Sequence, residues 1–280
     1  MGAMNLAAGA FPAFLGKPLL NSDALDAGAV VVSSGDAFKH RALDMSRRTA
    51  ATSLGQSGAG DAWTYQAKQY DGSSVNPQPV DCLALLNINF KRFKVEYRLA
   101  GSAWTIFPGA DYTAVDFDAD HLILPLDPAG AVPTADEWLI TATDTQGGAV
   151  EKSLGMFIVC QQNIQASRGT SDLSNKLRET VVTVDLMDGS KDETVLLHTD
   201  LDYDFWSSPL IFHEVPDTEE PGFSGLRDDF FLFVPQPGKY PNAWYYCRVV
   251  PNTYDAQPFS MMGSDHRMRV AFQVEEVGKP

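Results

Sequence analysis

The chain has 280 residues and a formal net charge of −15, from 21 Lys plus Arg against 36 Asp plus Glu. A surface this acidic repels phosphate backbones and excludes nucleic-acid binding through a broad basic face. Hydrophobic residues make up 44 % and charged residues only 20 %, enough to build a core and too few charges for a disordered chain or a long charged helix.

The amino terminus is alanine-rich but has no charged region ahead of its apolar stretch, and Pro12, Gly16 and Pro18 interrupt it. It reads as mature protein, not as a signal peptide. Residues 1–29 are expected to form an arm whose apolar part, with Phe11 and Phe14, is offered to another subunit; packing on its own domain is the alternative. Residues 37–47 could hold a turn or two of helix. Trp63, Tyr65 and Tyr70 follow in a Gly-flanked loop and are expected to be exposed for a partner or a sugar. Cys82-Leu83-Ala84-Leu85-Leu86 is a continuous apolar run, suited to a strand buried on both faces. In Phe93, Val95, Tyr97 and Leu99 the apolar residues alternate with Lys94, Glu96 and Arg98, the period of a half-buried strand. Gly101 then turns the chain into a hairpin partner, 103–107, whose Trp104 is assigned to the core beside Tyr97.

The stretch 111–120 is acid-rich, and Asp116, Asp118 and Asp120 have the spacing of a weak calcium candidate, as does 200–204. No other metal and no cofactor is implied. Further strands are expected at 138–143 and 156–160. The polar stretch 161–176 lacks apolar periodicity and reads as a connection. Beyond it, two strands flank Asp188-Gly189, a tight hairpin signal, and further strands follow at 210–215, 230–234, 245–250 and 269–277. Between them, the loop 216–229 carries Phe223 and Leu226, apolar enough to suggest a contact arm as the alternative to a solvated tip. Many short strands punctuated by Gly and Pro point to an all-β fold of antiparallel sandwiches. The expected division is an arm at 1–29, a sandwich at 30–165, a linker at 166–176 and a second antiparallel β domain at 177–280.

Residues 30–160 resemble the discoidin, or coagulation-factor type C, domain, a galactose-binding-like jelly roll. The resemblance rests on Val32-Ser33-Ser34-Gly35 with Arg41-Ala42-Leu43-Asp44, on Asp81-Cys82-Leu83-Ala84-Leu85, and on the hairpin from Phe93 to Arg98 followed by Gly101-Ser102-Ala103-Trp104-Thr105. It extends to Glu137-Trp138-Leu139-Ile140-Thr141 and Leu154-Gly155-Met156-Phe157-Ile158. Met45 stands where the family usually has glycine, and the cysteines that bracket its animal members are missing. Together with the second β domain, the chain is similar in style to virion proteins of tailed bacteriophages.

The chemistry of an enzyme is not visible. The five histidines make no metal-binding or catalytic pair, and there is no nucleophile elbow, phosphate loop or dinucleotide fingerprint. The cysteines Cys82, Cys160 and Cys247 have no zinc spacing and read as three buried thiols, with pairing of two in space the alternative. The expectation is a non-enzymatic structural subunit of a phage tail, made in the host cytoplasm and placed in the virion. It would bind other tail proteins and copies of itself, with no membrane span. The alternative is a lectin-like module that holds a host glycan.

Overall fold

The computed structural model describes residues 13–20, 28–43, 50–53, 61–71, 74–126, 132–149, 151–165, 180–185, 191–196, 207–228, 230–234, 244–260 and 267–276. It is an all-β protein. Two compact units divide it, 1–166 with 230–244, and 167–229 with 245–280.

The first unit is a two-sheet antiparallel sandwich, the layout that the discoidin resemblance implies. Its strands in chain order are β1 (Ala13–Pro18), β2 (Val31–Val32), β3 (Ala51–Thr52), β4 (Trp63–Lys68), β5 (Tyr70–Asp71), β6 (Ser74–Val75), β7 (Gln78–Pro79), β8 (Cys82–Ile88), β9 (Phe90–Arg98), β10 (Thr105–Asp111), β11 (His121–Pro125), β12 (Thr134–Ala135), β13 (Glu137–Thr145) and β14 (Ser153–Gln165). A five-stranded sheet runs β10-β9-β13-β4-β2. The facing sheet runs β11-β8-β14-β1 and continues to β18 (Phe231–Val234), with β3 paired to the start of β14. The helical turn expected near residue 37 is a 3-10 helix, Asp36–Ala42.

Alternation builds the core between the sheets. Trp63, Tyr65 and Ala67 from β4 and Trp138, Ile140 and Ala142 from β13 point inward, and Leu83, Leu85, Phe157 and Val159 meet them from the opposite sheet. Tyr65 and Trp138 both set their rings edge-on to Phe157, at 6.1 and 6.3 Å, a favoured aromatic geometry. Buried polar ends find partners: the Trp63 indole donates to the Ser34 carbonyl and the Tyr65 hydroxyl to the Lys39 carbonyl. The apolar run 82–86 is a strand buried on both faces, as its composition implies. On its second face Cys82, Ala84 and Leu86 join Met156, Ile158, Cys160, Leu15, Leu232, Val234 and Trp244 in a separate apolar cluster.

Two boundaries differ from the sequence expectation. Residues 13–18 are a strand of the sandwich: β1 pairs with β14 and with β18, Phe14 lying opposite both Ile164 and Phe233. Phe14 is fully buried against Phe233, ring centroids 5.0 Å apart, so it is core and not a subunit contact. The same pairing draws 231–234 out of the expected second domain into the first unit. Phe11 lies outside the described residues.

The second unit holds the hairpin β15 (Thr180–Asp185) and β16 (Lys191–Leu196), in register with the Asp-Gly turn signal. It also holds β17 (Ser207–Pro216), the short helix α1 (Glu220–Gly225), β19 (Tyr245–Val249), β20 (Asp255–Ser260) and β21 (Arg267–Glu276). β21 pairs with β17 along one edge and with β19 and β20 along the other. Phe223 and Leu226, read from the sequence as part of a solvated tip or, in the alternative, of a partner-contact arm, are buried in this unit instead. Phe223 packs on Phe212 at 5.1 Å and Phe272 at 6.2 Å, so α1 is a plug over its own sheet. Tyr254 stacks on Phe272 and donates its hydroxyl to Glu220 at 2.7 Å, which ties the plug down.

Candidate functional site

The outer face of the five-stranded sheet presents side chains in rows set by strand register. The first row is Trp104, Arg98, Glu137 and Lys68: Glu137 lies opposite both Arg98 and Lys68. The pairing of Thr105 with Tyr97 puts Trp104 next in line, opposite Arg98. The second row is Ile106, Glu96, Leu139, Gln66 and Val31. In the third, Lys94 lies opposite Thr141, which faces Thr64. Four strand intervals of about 4.8 Å make this face roughly 19 Å wide.

Glu137 organises the first row. Its carboxylate accepts from Lys68 Nζ at 2.8 Å, from Arg98 Nε at 2.8 Å and from the second Arg98 nitrogen, and from Gln66 Nε2 at 3.2 Å. Burial pushes this carboxyl up, but the hydrogen bonds and charges of Lys68 and Arg98 outweigh it and hold it below the usual glutamate range. Held in this way, Arg98 lays its guanidinium over the Trp104 ring, 4.4 Å from the centroid, a cation–π contact. Trp104 keeps part of its surface exposed. Lys94 reaches Glu96 at 2.9 Å. At the margins, Val31 is 56 % and Ile106 39 % exposed.

The hairpin that sets this register is pinned at its tip. Ala100 (φ 50°) and Gly101 (φ 73°) take the left-handed turn, and the Ala100 N–H donates to both oxygens of the buried Asp136 carboxylate at 3.1 and 3.0 Å.

The tryptophan assignments read from the sequence are exchanged. Trp63, expected on an exposed lip, is 0 % exposed, as is Tyr65. Both start β4 on its inward parity, with Ala67. Tyr70 packs against the sandwich core and keeps only part of its surface. Trp104, expected in the core, stands on the outer face, and Trp138 takes the inner place beside Tyr97 at 5.9 Å and Phe107 at 5.7 Å. The sequence carried the signal: Arg98 is outward by alternation, so the residue that faces it across the hairpin is outward too.

The acidic stretch does not form a cation cage. Asp116 pairs with Lys91 at 3.1 Å and Arg92 at 3.0 Å, whose hydrogen bonds hold its carboxyl low. Asp120 meets the ring of His121, and Asp111 accepts from the N–H and hydroxyl of Thr113. Residues 112–120 are an irregular loop, so the same-face rule of a strand does not bring Asp116, Asp118 and Asp120 together. Tyr112 and Phe117 anchor that loop on Phe93, at 5.0 and 5.3 Å. Among the described residues no group of three or more His, Cys, Asp or Glu could hold a metal ion. The stretch 200–204 lies outside them. No described helix is long and apolar enough to cross a membrane.

The sequence matches no protein-family model and no curated protein. Among solved structures, the chain is similar to chitosan-binding module 1 of a chitosanase/glucanase from Paenibacillus sp. IK-5, with 18 % identity and a TM-score of 0.39 over 51 % of this chain and 98 % of that one. It is also similar to the family 32 carbohydrate-binding module of Clostridium perfringens NanJ, solved with galactose, with 13 % identity and a TM-score of 0.39 over 52 % of this chain and 98 % of the other.

Proposed function

We propose that the chain is a non-catalytic carbohydrate-binding protein that holds its ligand on the outer face of the five-stranded sheet. The observation that carries this reading is the first row, where a partly exposed tryptophan stands beside a fixed line of cation, carboxylate and cation. Sugars offer apolar ring faces that stack on aromatics and hydroxyls that need donors and acceptors at fixed positions. A sheet face supplies such positions with little ordering cost, because the ion pairs already hold the side chains in place. The test is a glycan array followed by titration of the best ligand. Trp104→Ala is expected to weaken binding at least tenfold, and Trp63→Phe, in the core, to leave it unchanged. Retention of no glycan, or equal binding by Trp104→Ala, overturns the reading.

A second reading, a tail subunit of a bacteriophage, draws on the apolar margins of the same face, Val31 and Ile106, which suit a protein neighbour. Concentration-independent oligomers that are lost in Ile106→Asp, without glycan binding, favour it over the first.

A further inference from the structure

Cys82 and Cys160 are 78 positions apart in sequence and lie directly opposite each other on the adjacent strands β8 and β14. Their side chains share one face of the sheet, in the same apolar cluster. The Leu126 N–H donates to the Asp81 carbonyl and the Leu19 N–H to the Val159 carbonyl. The backbone groups of Cys82 and Cys160 therefore turn toward the β8–β14 pair and away from the flanking strands β11 and β1. The Cys160 carbonyl accepts the Asp81 N–H at 2.9 Å, an irregularity at the start of β8. Opposed residues of this hydrogen-bonded type have Cα atoms about 5.5 Å apart, inside the range that a disulfide spans. Their Cβ atoms lie toward about 5.5 Å, wider than the roughly 3.5–4.5 Å of a relaxed bridge. Closing one therefore draws the two strands together and turns the Cys82 thiol away from the Leu83 carbonyl to which it donates. Cys247 is buried in the second unit.

Both thiols are completely buried. Burial pushes each well above the ordinary thiol range, and the neighbouring Cys160 and Asp81 push Cys82 further. The nucleophile in disulfide exchange is the thiolate, so the folded dithiol is chemically quiet. The same two groups are exposed before the sheet closes.

We propose that Cys82 and Cys160 form a cross-strand disulfide when the chain folds in the presence of a small-molecule disulfide such as oxidised glutathione, and that they persist as a protected dithiol when it folds under reduction. In the first step one cysteine thiolate attacks a glutathione sulfur, and a mixed disulfide forms as one glutathione thiolate leaves. In the second, the other cysteine thiolate attacks the protein-side sulfur and expels the second glutathione. Two protein thiols are oxidised, one glutathione disulfide is reduced to two thiols, and the two cysteine protons go to solvent or to the leaving thiolates. This inference is independent of the glycan reading.

The experiment uses the full chain, denatured and reduced, then refolded in parallel in reducing buffer and in an oxidised/reduced glutathione mixture. Each product is unfolded in alkylating reagent and analysed by intact and peptide mass. The expected result is the loss of two hydrogens and of two alkylatable thiols in the glutathione sample alone, with the peptides of Cys82 and Cys160 joined. Cys247→Ala should reproduce this, and Cys160→Ala should keep its remaining thiols open to alkylation. The reduced, folded protein should resist alkylation at Cys82 and Cys160 until it is unfolded. Three alkylated thiols after glutathione refolding, a glutathione adduct that does not resolve, or a bridge to Cys247 overturns the proposal.

Discussion

Replacing Glu137 with glutamine keeps the shape of the side chain and removes the charge that Lys68 and Arg98 share. The Glu137 side chain is only 7 % exposed, and its two cationic partners are 34 and 25 % exposed. Removing one member of a fully buried ion pair costs about 3–5 kcal/mol, and an exposed pair is worth about 0.2–1 kcal/mol. This arrangement lies between them, since the glutamine still accepts one hydrogen bond and the cations are partly solvated. The cost is about 2 kcal/mol, which for a domain of this size lowers the melting temperature by roughly 4–8 °C. The effect depends on pH in a defined direction. A carboxyl held below its unfolded value stabilises fully above that value, about 4.3 for glutamate, and the stabilisation is lost as pH falls through the folded value. Wild type and Glu137→Gln should therefore differ most at neutral pH and converge as the solution is acidified below about pH 4. Thermal unfolding followed by circular dichroism at a series of pH values measures both. A neutral-pH difference below about 1 °C, or one that persists unchanged in acid, refutes the assignment of Glu137 as the organiser of the row.

Gly155→Ala should cost about 3 kcal/mol or prevent folding, because a Cβ there would sit 2.6 Å from the Asn87 Cβ and 2.9 Å from the Leu86 carbonyl on the neighbouring strand; urea unfolding measures it. Trp63→Ala should lose about 3–5 kcal/mol of stability, and Trp104→Ala less than about 1 kcal/mol; comparable losses would contradict their opposite placement.

Much of the architecture was legible along the chain. The alternation from Phe93 to Leu99 marked β9, the unbroken run at 82–86 marked a strand covered on both faces, and Asp188-Gly189 marked a hairpin whose two strands pair as expected. These are local signals: a two-residue period or a turn residue tolerant of positive φ acts over a few positions. The candidate site was less legible. Trp63 and Trp104 are equally aromatic and both stand near glycines, so composition could not separate them, and the acidic spacing at 116–120 could not show that Lys91 and Arg92 would take up Asp116.

Alternation along a strand states that there are two faces; it does not state which one is covered. The sequence alone determined an acidic, all-β chain with most strands in their places. Tertiary structure decided that β1 and β18 would join the sandwich, that Trp63 and Trp138 would meet Phe157 of the opposite sheet in one core, and that Cys82 would face Cys160. Each of those outcomes depends on pairing between segments far apart in the chain. A shift of register by one residue would turn every side chain to the opposite face. The register is selected by the burial and hydrogen bonding of the whole sheet, a sum that no local window contains.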